Sequence, residues 1–70
     1  GVVDEGVGYL KEASEAAPEQ LEINYHYASA LAQSGKDGEA LKILKSILDT
    51  GKPFNDIEAA RELYAKLASN

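Results

Sequence analysis

His26 is the single imidazole in a chain of 70 residues. A general base needs an orienting carboxylate and a nucleophile within about 3 Å, and the residues around His26 offer no such pair. Glu22, one helical turn earlier, could pair with it, but exposed pairs of that kind contribute roughly a few tenths of a kcal/mol. His26 is therefore expected on the surface, partly exposed. The carboxylate pairs Asp4-Glu5 and Glu12-Glu15 could imitate an acid–base couple, yet no apolar pocket is visible that would set one carboxyl apart from the other. They read as a solvated face. Gly35-Lys36-Asp37-Gly38 places glycine and lysine before a helix, as a phosphate cradle does, but lacks the G-x-x-x-x-G-K-S/T spacing and the preceding strand. A turn between helices accounts for it better.

Composition narrows the chemistry further. The absence of cysteine excludes a disulfide framework, thiolate-ligated zinc, an iron–sulfur centre and a thiol nucleophile. No catalytic residue, metal ligand or cofactor site is expected. A formal charge of −5 argues against nucleic acid as partner, because phosphate binding needs a basic face. The charge is uneven: residues 1–35 hold six acids and one base, whereas residues 36–70 hold six of each. No run approaches the roughly 18–20 consecutive apolar residues of a membrane span, and the first ten residues lack the basic region of a signal peptide. With no methionine at Gly1 and a helix-like pattern directly after it, a segment cut from a longer polypeptide is expected, its targeting information upstream. Seventy residues allow one small domain with about 60% of its surface buried, too little for a core plus a substrate cavity.

The elements that must position any site are helices. Alanine and leucine dominate the apolar residues, and the three valines all lie within the first seven positions. From Asp4 to Ala17, Val7, Leu10, Ala13 and Ala17 follow three-and-four spacing. Gly6 and Gly8 weaken this first helix and Pro18 closes it. From Glu19 to Ser34 the stripe is Asn24, Tyr27, Ala28 and Leu31, with Gly35 as the stop. Asp37 is placed to cap the third helix, whose stripe is Ala40, Leu41, Leu44, Ile47 and Leu48, and Gly51 ends it. Asn55 is placed as the cap of the fourth, with Glu58 at capping-box spacing and Ile57, Ala60, Leu63, Tyr64 and Leu67 as its stripe. Links this short make consecutive helices antiparallel neighbours. The fold class expected is all-α, an antiparallel stack of helical hairpins.

Shifted by 34 residues, the chain aligns with itself: Asp4-Glu5-Gly6-Val7 with Gly38-Glu39-Ala40-Leu41, Leu10 with Leu44, and Ala13 with Ile47. That is the period of tetratricopeptide repeats. The segment Tyr27-Ala28-x-x-Leu31-x-x-x-Gly35-x-x-x-Glu39-Ala40-x-x-x-Leu44-x-x-Ile47-Leu48 resembles the tetratricopeptide signature. Departures are Asn24 at the frequent tryptophan position, Ile47 at a small position, and Pro53 one residue late. A narrower likeness rests on Tyr25-His26-Tyr27-Ala28, Ala30-Leu31-Ala32, Ser34-Gly35 and Gly51-Lys52-Pro53-Phe54. That string is similar to the C-terminal repeats of bacterial tetratricopeptide lipoproteins of exopolysaccharide export and PEP-CTERM sorting.

The resemblance implies a four-helix fragment of an α-solenoid forming one domain over residues 1–70. Residues 4–17 would be the second helix of a truncated repeat, 19–51 one full repeat and 55–69 a terminal helix. It implies a non-catalytic interaction module that holds a protein or peptide segment on a concave face. Glu22, Tyr25, Ser29 and Gln33 would line that face, continued by Glu58, Arg61 and Ala65. Tyr25 lies about 200° around the helix from Tyr27, so Tyr25 is expected to look outward and Tyr27 inward. The positions with which some members clamp a C-terminal carboxylate read Tyr25 and Ser29, which argues against such a clamp; neutral or basic segments are preferred. The alternative is a C-terminal cap of the solenoid with no ligand of its own. In that case Val2, Val3 and Val7 would leave an exposed edge, with weak self-association through the N-terminal helix. No membrane contact by this segment is expected. The lipoprotein likeness implies a periplasmic or outer-membrane-associated parent, and without it a cytoplasmic one.

Overall fold

The computed structural model describes residues 2–69, with side-chain surroundings from residue 6 onward. Four helices follow in order: α1 (Val2–Ala16), α2 (Leu21–Gln33), α3 (Asp37–Asp49) and α4 (Ile57–Ala68), with no strand among the described residues. Each packs on the next in sequence. The result is a slab of 33 × 30 × 17 Å, a helical-hairpin stack as the spacing predicts.

The core is one cluster with contributions from all four helices. Leu31 of α2 and Leu44 of α3 are its largest fully buried side chains. Ala28, Ala40 and Ala60 are completely buried, one on each of α2, α3 and α4. A methyl at each of these positions lets neighbouring backbones come close, where a longer side chain would hold them apart.

The α2–α3 turn is fixed by backbone chemistry. Gly35 adopts φ +84°, a left-handed conformation that costs glycine nothing. Lys36 N–H donates to the Leu31 carbonyl at 2.8 Å and Gly35 N–H to that of Ala32 at 3.1 Å. These are the two bonds of a Schellman motif. Because Lys36 is already held by that motif, α3 starts at once: the Lys36 carbonyl accepts from Ala40 N–H at 3.1 Å. Asp37 is thus the first helical residue, and not the cap expected of it; Lys36 holds the cap position without a side-chain bond. At α4 the expected Asn55–Glu58 capping box is also absent. The Phe54 carbonyl accepts from Ile57 N–H at 3.1 Å, which moves the start to Ile57 with Asp56 before it. Glu58 pairs instead with Arg61 at 2.9 Å.

Asn24 is the one buried polar side chain among the described residues. Its amide nitrogen donates to the Pro18 carbonyl at 2.8 Å, and its carbonyl oxygen accepts from Ser14 Oγ. Asn24 therefore ties α2 both to α1 and to the turn between them. Val7, expected on an exposed edge, is buried at 9%, because the three-and-four stripe it shares with Leu10 and Ser14 faces α2. The side chains of Val2 and Val3 lie outside the described residues. Among the described side chains of α1, Tyr9 is a large apolar residue left exposed, at 74%.

Replacing Asn24 with alanine strands the Pro18 carbonyl and Ser14 hydroxyl. The expected loss is about 1–3 kcal/mol of unfolding free energy, read by urea denaturation with an unchanged slope. An unaltered midpoint contradicts the role given to Asn24.

Candidate functional site

Both α2 and α4 pack on α3, and the short links make each antiparallel to it, so the two flank one another across a shared hollow. At the N-terminal end of the pair, His26 Nε2 lies 3.7 Å from Asp56 Oδ2, with the side chains 57% and 38% exposed. The Tyr25 ring centroid is 5.4 Å from that of His26, tilted by 53°. His26 sits on the surface as expected, but its carboxylate neighbour is Asp56 across the helix pair and not Glu22.

At the C-terminal end of the pair a hollow of about 400 Å³ opens between the helices. Ser29, Ala32 and Gln33 line it from α2, Asp37 from the start of α3, and Leu63, Lys66 and Leu67 from α4. Two leucines give it an apolar wall, a hydroxyl and an amide offer hydrogen bonds, and Asp37 and Lys66 supply one charge of each sign. Such a lining can hold a short stretch of chain, with an apolar side chain against the leucines and its peptide groups against Ser29 and Gln33. A second hollow, of about 270 Å³, lies between the N-terminal end of α2 and α3, with Pro18, Leu21, Ile43 and Ile47 among its lining residues.

The residues singled out from the sequence divide. Ser29 and Gln33 line the α2–α4 hollow. Glu22 is exposed. Tyr25, expected to look outward, is half-buried and packed against the core. Tyr27 packs on the core as well. Glu58 and Arg61 are exposed and bonded to each other at 2.9 Å. They lie five residues, about 140° around the helix, from Leu63 and Lys66 respectively, and do not line the hollow. Asp37 and Lys66 line it without having been singled out. Helical spacing placed Lys66 beside an apolar stripe, but nothing local says which neighbour that flank meets.

The family model for the tetratricopeptide repeat matches residues 3–67. The chain belongs to the tetratricopeptide-repeat family. Repeats of this family are protein–protein interaction modules, and proteins are the partner class the family points to. No curated protein and no solved structure matched the chain. No helix among the described residues is long and apolar enough to cross a membrane.

The family's small positions have a physical basis here, since Ala28 and Ala40 are completely buried. Ala28→Leu overpacks the crossing and is expected to cost about 1–3 kcal/mol. Asp56→Asn, which weakens only an exposed contact to His26, should change stability by less than about 0.5 kcal/mol. Thermal unfolding of the two variants checks the ranking, and a reversed order contradicts it.

Proposed function

We propose that the chain is a non-catalytic interaction module that holds a protein or peptide segment along α2 and α4. In this reading residues 4–17 are the second helix of a truncated repeat, 19–51 a full repeat and 55–69 a terminal helix. The observation that carries it is the α2–α4 hollow, with Ser29 and Gln33 facing Leu63 and Lys66. Glu22 and the partly exposed Tyr25 extend the surface along α2, whereas Glu58 and Arg61, about 140° around α4 from Leu63 and Lys66, fall outside it. A bound segment would set one apolar side chain against Leu63 and Leu67, while Asp37 and the acidic N-terminal half favour a neutral or basic sequence. One such subsite supplies about 1–2 kcal/mol, so the surface acts with neighbouring contacts and not alone.

A second reading, a structural cap at the end of a solenoid, draws on Tyr64. A shift of 36 residues, which allows for the longer 50–56 link, places Tyr64 on α4 where α2 carries Ala28. A tyrosine there opposes the close approach of a further helix. The same reading includes weak self-association through α1.

Selection of binders from a displayed library of neutral and basic peptides separates the two. Gln33→Ala and Asp37→Asn are expected to weaken the selected peptides about five- to thirtyfold without shifting the melting temperature. Recovery of binders indifferent to both substitutions contradicts the groove reading, and recovery of none favours the cap.

A further inference from the structure

The hollow between the N-terminal end of α2 and α3 lies apart from the α2–α4 surface and has a different lining. Its walls are α2, α3 and the turn that joins α1 to α2. Because α2 packs on both α1 and α3, the pairing of consecutive helices is complete around the hollow and still leaves it open. Leu21, Ile43, Ile47 and the ring of Pro18 make it mainly aliphatic, while Lys42, Ser46 and Thr50 form a polar line at four-residue spacing along α3. Lys42 is the one charged residue among the described lining residues.

Two departures from the tetratricopeptide pattern meet at this place. Asn24 stands at the frequent tryptophan position and Ile47 at a small position, and both line the hollow. An asparagine occupies far less room than an indole, so space that an internal ring would fill is open to a side chain from outside. The polar line is likewise particular to α3: thirty-four residues earlier, Lys42, Ile43, Ser46 and Ile47 correspond to Gly8, Tyr9, Glu12 and Ala13. A feature of helix stacking would recur with the repeat, and this one does not.

The hydrogen bonds decide which polar groups can meet a ligand. The Asn24 amide is engaged with the Pro18 carbonyl and the Ser14 hydroxyl, and Thr50 Oγ1 with the Ile47 carbonyl and Lys52 N–H. There remain the Lys42 ammonium and the Ser46 hydroxyl, both exposed and one helical turn apart. No described carboxylate pairs with Lys42. Two donors beside an aliphatic wall suit an anionic acceptor attached to an apolar group. Glu39, three residues before Lys42, is exposed and repels a second negative charge. The volume of about 270 Å³ falls below the roughly 300–1,000 Å³ of small-molecule sites and suits a single large side chain.

We infer that this hollow is a second docking site, one that takes a protein segment presenting a large apolar side chain beside a single carboxylate. The apolar side chain lies between Leu21, Ile43 and Ile47, and the carboxylate meets Lys42 and Ser46. Because Asp37 borders the α2–α4 hollow, the two sites sort segments by charge.

The chain has no tryptophan, so a tryptophan in a peptide reports binding by its own fluorescence. The probes are blocked glycine–serine octapeptides with a central tryptophan followed by glutamate, glutamine, lysine or two glutamates. The tryptophan–glutamate peptide is expected to bind with a Kd of about 1 mM and to shift the amides of Leu21, Ile43 and Ser46 in the ¹⁵N-labelled chain. The glutamine and lysine versions should bind about three- to tenfold more weakly at low salt, and the doubled acid no tighter than the single one. Lys42→Glu should reverse the order of the glutamate and lysine peptides, and Ser46→Phe should block both, each with the parent's circular dichroism. Asp37→Asn should change nothing, which separates this site from the α2–α4 hollow. Equal binding of the glutamate and lysine peptides, shifts confined to Ala32, Leu63 and Leu67, or no shift at millimolar peptide would each overturn the inference. Indolepropionate binding as tightly as the peptide would overturn it too, by making a small carboxylate the occupant.

Discussion

Everything in this molecule depends on helices crossing through alanine. Ala28, Ala40 and Ala60 have no exposed surface, and each marks a place where a longer side chain would push two backbones apart. With the backbones close, Leu31 and Leu44 fill the space between them and are the large side chains fully buried among the described residues. A chain this short cannot wrap a core on all sides. It flattens into a slab 17 Å thick, hiding one stripe of each helix and leaving the flanks open. Those flanks are where partners can act, so the constraint that limits stability is the same one that supplies surface.

The turns decide which flanks meet. Between α2 and α3, Gly35 and Lys36 satisfy the last carbonyls of one helix and begin the next within three residues, leaving no freedom in the angle. Between α3 and α4 the chain takes seven residues, 50–56. Thr50 Oγ1 donates to the Ile47 carbonyl at 2.8 Å and accepts from Lys52 N–H at 3.2 Å, and Gly51 turns the chain with φ +70°. This longer link brings α4 back beside α2. The α2–α4 hollow and the His26–Asp56 contact both follow from that return. Asn24 performs the matching task at the other end, where its amide nitrogen donates to the Pro18 carbonyl and ties the α1–α2 turn to α2.

Much of this was legible in the sequence, for a physical reason. A buried stripe must recur every three or four residues, so Leu31, Leu44, Ala60 and Leu67 announce the faces they occupy. Gly35 announces its turn because few other residues tolerate that backbone. Helix starts were less legible. Asp37 and Asn55 have the chemistry of caps, but backbone bonds from the preceding turns fixed each start elsewhere, and a capping side chain contributes too little to override them. The partial burial of Tyr25 was unreadable, since helical spacing sets it on the opposite side of α2 from Tyr27 and says nothing of how the core spreads around that helix. Asn24 looked like a departure from the family pattern. Its partners, Ser14 and Pro18, lie on a neighbouring helix and turn, and no spacing rule encodes a hydrogen bond of that kind. Lys66 was missed for the same reason.

The α2–α4 surface exists only where α4 lies beside α2 at the depth of the hollow. Nuclear Overhauser contacts between the Ala32 methyl protons and the Leu63 and Leu67 methyl protons measure that placement directly, in solution and without substitution. The arrangement described predicts cross-peaks from Ala32 to at least one of these leucines. Their absence, with helicity intact, would mean that α4 docks elsewhere on α3, and the surface built between the two helices would not exist.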